Sequence, residues 1–562
     1  MLIAAAMGLA GLLSLARRGR QRAAPGSDLQ RLATALLGLV ALASTANYFL
    51  LGRHPTQFVK AWDVQHTWFG SKYAAELGYF RIYECTLVFD AQHAGDYRAV
   101  RVISDLRTPL GRIPARAAAN GSDCQARFSP QRRAEFVRDL DLFQRLPERP
   151  EAAAWFIDNG YNQSPFFTTL TSPLFQRVAP GYGFLLALAL VDVALELLPF
   201  ALLWRAFGAR TTLLAAIFFF TSFSNQFAAM GGSILRFAYL ALLLVAVAET
   251  QRARPRAAGV ALGLATLLQV FPALYALGLA LAAAYRALRA RRLPAWALPF
   301  TAAYAATGIV GFAASFLVVA PETWREFAEK LALHGEMLSE YRVGLKLPLV
   351  LDWPIPPGGW LPFAQKLAEL HALHALYLAC AAALLLAALS LAPKLRSLEL
   401  AIVFASVALY VATPVHYYFA TLVLLFFVAN DEDANEISAG LGRSLLFLLS
   451  AGAFLVHRRS GSLALVNDYW LSLGLLVVLI AWIAALHFER RPLEMERLEY
   501  EDLRRARGSH DHVHPGLAAP RELERDAPVA AAPLLGAGLR DEHAGRTAAT
   551  DHAQGPATRP EG

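Results

Sequence analysis

An aromatic stretch at 62–85 holds the residues with the most chemical potential. It reads WDVQHTWFGSKYAAELGYFRIYEC and begins soon after the first long apolar segment. Asp63 could act as a general base, and His66, Lys72 and Glu76 could bind or protonate a reacting group. The same composition also fits an interfacial amphipathic helix without catalytic function, because aromatic and charged side chains both suit the bilayer surface.

Distant parts of the chain offer cationic groups that could surround a phosphate. The charge pattern described below puts Arg236, Arg342, Lys346 and His416 on the same side of a membrane as Asp63. Arginine, lysine and protonated histidine make charge-assisted hydrogen bonds to phosphate. Histidines on one face can equally be interfacial anchors, so a binding role stays one of two interpretations.

Asp192 and Glu196 are acidic residues inside an apolar segment, one helical turn apart. Carboxylates within a membrane are costly and frequently functional. They could couple ion movement to transport, or they could be structural partners of an arginine inside the protein.

The elements that position these residues are predicted to be membrane helices. The 562-residue chain is 56% hydrophobic and only 17% charged, with a mean hydropathy of +0.39. The apolar residues form blocks of about 18 to 25, the length needed to cross a bilayer as a helix. The net charge is +8, but the basic residues cluster in short loops between these blocks. This is the positive-inside pattern, so nucleic acid is excluded as the reason for the charge.

The blocks predict an all-α polytopic protein of about twelve spans. Its first outer loop, 53–180, is large, and 321–370 forms a second. The block 257–285 has basic clusters at both ends, so it is expected to hold two short helices, and the long block 398–428 is expected to hold two crossings as well. The turns should fall at Phe271-Pro272 and at Thr413-Pro414, because proline interrupts a helix.

Four segments follow from this topology. They are an apolar and basic N-terminal stretch at 1–31, a membrane core at 32–430, C-terminal membrane helices at 431–489, and a charged helix with a disordered tail at 490–562. The segment 2–16 could be a signal-like start, an extra helix or the product of a wrongly assigned translation start. In the tail, His510, His512 and His514 could bind a metal ion, although a solvated tail is the simpler interpretation.

The chain has three cysteines. Cys85 and Cys124 both fall in the first outer loop, on an oxidising face if that side is a periplasm or lumen, and we predict a disulfide between them. Two unrelated thiols are the alternative. Cys380 lies inside a predicted span.

In the order and spacing of four features, the region 32–428 resembles the GT-C superfamily of polyprenyl-phosphate-dependent glycosyltransferases, closest to glycosyltransferase family 87. The features are Asp63 with His66, Gly70, Gly78 and Ile82-Tyr83; Tyr161, Pro165 and Pro173 leading into a span; the stretch GGSILRFAYLALLLVAVAETQRARPRAAGVALGLATLLQVFPALYALGLAL; and Pro414 with His416. The sequence departs from the family at Gln269, where lysine is common, and at 233–236, which lacks a common amide residue.

The resemblance implies a GT-C-like bundle that transfers a sugar, such as mannose or another hexose or pentose, from a polyprenyl phosphate to a lipid or glycan acceptor. Asp63 would be the general base of an inverting reaction. The implied phosphate ligands are Lys72, Arg236, Arg342, Lys346 and His416. The implied cavity residues are His66, Tyr73, Glu76, Tyr417 and Tyr418. No cofactor is assigned, and a divalent metal bridging the phosphate is left open.

Two other functions compete with a transferase. A transporter or flippase would use Asp192 and Glu196 as coupling groups near the middle of the membrane, although no internal repeat is evident. A non-catalytic scaffold would keep the architecture without the chemistry. Alanine- and arginine-rich usage favours a bacterial inner membrane, with the active site facing the periplasm.

Overall fold

The structure is a computed structural model. It describes residues 1–18, 27–49, 58–93, 95–109, 111–146, 155–227, 231–339, 341–350, 363–428, 437–460 and 464–489. The predicted helix at 490–507 and the tail with its three histidines lie outside this part of the chain.

The described chain is predominantly helical and forms a multi-pass membrane protein. Five helices are long and apolar enough to cross a bilayer: Asp28–Tyr48, Tyr182–Phe207, Ala297–Ser315, Ile437–Arg459 and Val466–Phe488. A sixth span results if Gln365–Ala372 and His374–Leu389, which meet at 64°, are counted as one bent crossing. The all-α membrane class predicted from composition is therefore confirmed.

The remaining predicted crossings are shorter helices. Ala238–Gln251 and Pro255–Leu268 have 14 residues each, which corresponds to a rise of about 21 Å. A hydrocarbon core is about 30 Å thick, so neither helix crosses it alone when upright. The count of about twelve spans stays a prediction.

The elements before the second long span are, in order, α1 Leu2–Arg18, α2 Ser27–Tyr48, α3 Ala61–Lys72, α4 Ala74–Leu77, α5 Ile82–Gln92, β1 Val102–Asp105, β2 Gly111–Pro114, α6 Ala115–Asn120, α7 Cys124–Arg127, α8 Pro130–Gln144 and α9 Pro165–Phe175. Strands β1 and β2 pair antiparallel, with Ile103 opposite Ile113.

The later elements are α10 Tyr182–Phe207, α11 Ala209–Thr221, α12 Ala238–Gln251, α13 Pro255–Leu268, α14 Ala273–Ala290, α15 Ala297–Ser315, α16 Pro321–Glu336, α17 Lys346–Val350, α18 Phe363–Ala372, α19 His374–Leu389, α20 Ser397–Ala412, the 3₁₀ helix His416–Phe427, α21 Ile437–Ser460 and α22 Ala464–Phe488.

The two predicted proline breaks are present. Helix α13 ends at Leu268, and Gln269 has extended backbone angles just before the turn at Pro272. Helix α20 ends at Ala412, where Thr413 takes a left-handed conformation ahead of Pro414. Proline disfavours helical angles in the residue directly before it, which explains the break at Thr413. The second half of the block 398–428 is a 3₁₀ helix instead of an α-helix.

Residues 58–180, which we call the large loop, have their own aromatic interior. Phe136 and Phe143, both on α8, pack against Phe69 of α3 with ring centroids 4.7 and 5.5 Å away. Cys85 and Cys124 form the predicted disulfide, which joins α5 to α7 across 39 residues of sequence. Burial and a covalent link together hold short elements that would be unstable separately.

The N-terminal segment forms a helix that packs against α21. A Cβ on Gly8 would lie 2.6 Å from Leu448 Cγ, and one on Gly11 would lie 2.1 Å from Ser444 Oγ. These distances are too short for any larger side chain, so the glycines allow the two helices to approach closely. Segment 2–16 is therefore part of the packed bundle.

Candidate functional site

Helix α3 and the loop before α12 meet at the candidate site. The Lys60 amide donates to the Gly232 carbonyl at 2.8 Å, just before α3 begins. Gly232 has φ +72, and a Cβ there would lie 2.1 Å from the Phe58 carbonyl oxygen. Glycine is required by both the backbone conformation and the contact. This docking sets loop 231–237 directly beside Asp63.

Asp63 is bound through both carboxylate oxygens. Arg236 Nη2 donates to Oδ1, and Ser233 Oγ donates to Oδ2. The Asp63 and Arg236 side chains keep 21% and 16% of their exposure, so the pair is recessed but not sealed. A charge-assisted pair of this kind fixes the geometry of both groups.

The surrounding charges decide the protonation of this pair. Burial raises the pKa of Asp63, but Arg236, the Ser233 hydrogen bond and Lys60 outweigh it, so the net pKa lies below its usual value. Asp63 is therefore an ionised carboxylate at neutral pH. Burial, reinforced by Arg236, lowers the pKa of Lys60 to about 8, with Asp63 acting in the opposite direction.

Two tyrosines form the wall next to Arg236. The guanidinium carbon lies 5.1 Å from the Tyr417 ring centroid, and the Tyr417 and Tyr418 rings are 4.4 Å apart. The Tyr418 hydroxyl donates to Gln269 Oε1 at 3.1 Å, and Gln269 Nε2 donates to Gln163 Oε1 at 3.1 Å. The structure thus places Gln269, a departure from the family pattern, in the same wall as the predicted cavity tyrosines.

The second predicted outer loop reaches this wall through backbone pairing. The Val343 amide donates to the Pro414 carbonyl at 3.0 Å, and the His416 amide donates to the Tyr341 carbonyl at 2.6 Å. A β-bridge pairs Arg342 with the residue before His416. Residues that are far apart in sequence are brought together in this way.

Arg342 lies buried behind the tyrosines. Its Nη1 donates to the Thr413 carbonyl at 3.4 Å and its Nη2 to His334 Nδ1 at 3.2 Å. Burial lowers the pKa of Arg342 to about 10, while the two neighbouring tyrosines raise it. Lys346 donates to the carbonyl of Gly335 near the end of α16. Of these two predicted phosphate ligands, Arg342 lies near the wall, and Lys346 is committed to a backbone acceptor.

His66 is one turn beyond Asp63 on α3 but faces an aromatic environment. Its ring stacks on Trp155 at 4.9 Å, and Nε2 lies 3.1 Å from the Tyr83 hydroxyl. Nδ1 is 4.0 Å from Asp158 Oδ2. Burial lowers the pKa of His66 despite the opposing effect of Asp158, so the ring is neutral at pH 7.

Three residues implied by the resemblance belong to the interior of the large loop: Lys72, implied as a phosphate ligand, and Tyr73 and Glu76, implied as cavity residues. Lys72 Nζ donates to Asp139 Oδ2 at 2.6 Å, and the Tyr73 hydroxyl donates to the same oxygen at 2.9 Å. Glu76 accepts from Arg132 Nε at 2.6 Å. The structure does not bring these three side chains to Asp63.

Asp192 connects the membrane interior to the site. Its Oδ1 accepts from the Phe237 amide at 2.9 Å, immediately after Arg236. Within the described residues, both oxygens of the buried Glu196 have no hydrogen-bond partner. Nearby, the Tyr48 hydroxyl donates to Asn225 Oδ1 at 3.2 Å.

Sequence reasoning missed several participants. Lys60 lies one turn before Asp63, and Ser233 was noted only as a family departure, yet both act on the carboxylate. Asp139 was not singled out at all. The described residues contain no group of three or more His, Cys, Asp or Glu side chains arranged to hold a metal ion.

The chain was compared with protein-family models, curated proteins and solved structures, and none of them matches. The GT-C similarity therefore stays a resemblance carried by the residues themselves. What the geometry provides is an ionised carboxylate paired with the Arg236 guanidinium, next to the rings of Tyr417 and Tyr418.

Proposed function

We propose that this protein is a membrane glycosyltransferase that moves a sugar from a polyprenyl-phosphate donor to a lipid or glycan acceptor. The observation that carries the proposal is the recessed pair of Asp63 and Arg236, in which both side chains remain partly accessible. A carboxylate beside a guanidinium can accept a proton and hold a phosphate in the same place.

The reaction is a single displacement. The acceptor hydroxyl oxygen attacks the anomeric carbon while the bond from that carbon to the phosphate oxygen breaks with its electrons. The hydroxyl proton passes to Asp63, and the leaving phosphate gains charge next to Arg236. Attack opposite the leaving group inverts the anomeric centre. A positioned base contributes roughly 100- to 10,000-fold.

Substrate binding would also free the base. Arg236 Nη2 donates to Asp63 Oδ1 in the structure. A donor phosphate competes for the same guanidinium, because arginine binds phosphate as readily as carboxylate. Once Arg236 turns to the phosphate, Oδ1 becomes available to the acceptor hydroxyl.

We also propose that the protein has about twelve spans in a GT-C-like arrangement, with some crossings made by pairs of short helices. It would lie in a bacterial inner membrane, with the site on the periplasmic face. The buried disulfide supports an oxidising compartment for the large loop. The identity of the sugar is left to experiment.

The test is transfer of labelled sugar from a polyprenyl-phosphate donor by purified protein. Wild type and Asp63→Asn are compared, with Asp123→Asn as a matched control, since Asp123 is an exposed aspartate in the same loop that pairs with Arg127. Transfer by wild type and the control but not by Asp63→Asn supports the proposal. Equal transfer by Asp63→Asn removes Asp63 from the mechanism.

A transporter or flippase is the second candidate, because Glu196 is a buried carboxylate without a hydrogen-bond partner among the described residues. Its test is ion-coupled or lipid flux in proteoliposomes. Flux that is lost in Glu196→Gln and kept in Asp63→Asn favours transport. Wild-type protein with neither transfer nor flux fits the non-catalytic scaffold.

A further inference from the structure

Helix α16 and the extended residues after it carry two buried cations with unsatisfied nitrogen atoms. Lys330 is 1% exposed and Arg342 is 4% exposed. Within the described part of the chain, Lys330 Nζ and Arg342 Nε have no hydrogen-bond partner. The Lys330 amine lies over the Phe80 ring, 5.5 Å from its centroid.

His334 links the two cations. It lies one turn after Lys330 on α16, so both side chains share a helix face. Arg342 can only donate hydrogen bonds, so His334 Nδ1 must be the acceptor of the 3.2 Å contact. Nε2 then carries the hydrogen and donates to Asn162 Oδ1 at 2.8 Å. His334 is therefore neutral, and it adds no charge of its own.

This arrangement is unfavourable for a structural role. A buried amine without a hydrogen-bond acceptor loses its hydration, and a contact with an aromatic ring replaces only part of that loss. The large loop shows how the chain satisfies such a group elsewhere, since Lys72 donates directly to Asp139. The Lys330 amine and the Arg342 Nε are two donors without an acceptor among the described residues, and a phosphate oxygen can accept from both.

We propose that Lys330 and Arg342 bind a phosphate group at a site of its own, on the His334 side of the Tyr417–Tyr418 wall and away from Arg236. The inference goes beyond the proposed function, because it requires only that phosphate binds. In a transferase, an acceptor bearing a phosphate would fill this site while the donor phosphate lies at Arg236.

The local charges predict that anion binding at this site depends on the protonation of the Lys330 amine. Burial lowers the pKa of Lys330 to about 7; Asp158 and Asp105 act in the opposite direction, and Arg107 acts in the same direction. His334 is neutral and Arg342 stays charged at neutral pH. An anion beside the amine favours its charged form, so binding should be tighter below pH 7 than above it.

The experiment measures the melting temperature of the full-length protein in detergent at constant ionic strength. Inorganic phosphate and dodecyl phosphate are titrated separately. A ligand that binds only the folded state raises the melting temperature with concentration. Stabilisation by both identifies the phosphate group itself as the ligand, and stabilisation by dodecyl phosphate alone identifies a lipid headgroup. Stabilisation by neither overturns the proposal.

Lys330→Met gives the decisive variant. Without ligand it should melt at or above the wild-type temperature, because an unsatisfied buried charge is removed. Its affinity for the stabilising phosphate should fall roughly 10- to 100-fold. Lys330→Arg should retain binding. Arg325→Gln is the control, since Arg325 lies on the same helix but is exposed, and it should change neither quantity.

A wild-type measurement covers the case in which Lys330→Met does not fold. Sulfate keeps a fixed charge, so its affinity should fall between about pH 6 and about pH 9 as the Lys330 amine loses its proton. Affinity that stays constant over this range overturns the role of Lys330. Two results separate this inference from the proposed function. Lys330→Met would lose phosphate binding and keep normal sugar transfer, and Asp63→Asn would lose sugar transfer and keep phosphate binding.

Discussion

Two ion pairs in this protein each join a basic side chain to an aspartate, but the pairs differ in how much of them solvent can reach. Lys72 and Asp139 are 3% and 0% exposed, and Asp139 also accepts from Trp68 Nε1 at 3.0 Å. Arg236 and Asp63 are 16% and 21% exposed. The first pair is sealed among aromatic rings and supports the fold. The second is recessed but reachable, which is what a site that exchanges partners needs.

Residue type alone does not separate a structural ion pair from a functional one. Lysine and aspartate in the aromatic stretch 62–85 predicted chemistry from the sequence, and this stretch contains one member of each pair, Lys72 and Asp63. Accessibility of the pair and the number of competing donors distinguish them. Asp139 Oδ2 already accepts from three donors within the loop, so a substrate has no access to it.

The largest effect is expected from Asp139→Ala. It leaves Lys72 as a buried charge without a partner, which costs about 3 to 5 kcal/mol. The measurement is the free energy of unfolding, or expression and melting temperature if unfolding is irreversible. Replacing both partners, as Lys72→Met with Asp139→Leu, should recover most of the loss. A mild effect of Asp139→Ala would mean that the pair is not structural.

Asp63→Asn should instead leave stability nearly unchanged and reduce sugar transfer strongly. Asparagine keeps the shape and can still contact Ser233, so the melting temperature should change little. Sugar transfer should fall roughly 100- to 10,000-fold because the base is lost. A large drop in melting temperature with transfer retained would place Asp63 in the structural class with Asp139.

Gly232→Ala tests whether backbone docking holds the second pair together. Its φ of +72 and the 2.1 Å approach to the Phe58 carbonyl leave no space for a Cβ. The strain is about 1 to 3 kcal/mol, and it should shift Ser233 and Arg236 relative to Asp63. Transfer should fall with only moderate loss of melting temperature. Gly181→Ala, at a position with open space around the Cβ, is the control and should behave as wild type.

The smallest effect is in the pH dependence of stability. The pKa of Asp63 is lowered in the folded protein, so its stabilisation is present above the unfolded pKa and is lost as pH falls through the folded value. Wild type and Asp63→Asn should therefore converge in melting temperature under acid conditions, below about pH 4. A difference that grows on acidification would contradict the lowered pKa.

Some of the site could be predicted and some could not. Asp63 and Arg236 were both candidates, because an acidic residue after a span and a basic residue at the predicted outer face are visible in the sequence. The sequence predicted a role for Lys72 but did not identify Asp139 as its partner, because 67 residues separate them and no pattern relates them. Lys330 gave no signal either, because a charged residue on an amphipathic helix normally faces solvent.

The sequence by itself determined the membrane class, the helix breaks at Pro272 and Pro414, and the pairing of Cys85 with Cys124. These depend on composition, on proline geometry and on the small number of cysteines, all of which are local or countable. Only the tertiary structure decided which cation meets which carboxylate. That choice depends on burial and on contacts between residues such as Asp63 and Arg236, 173 positions apart, and no linear pattern records it.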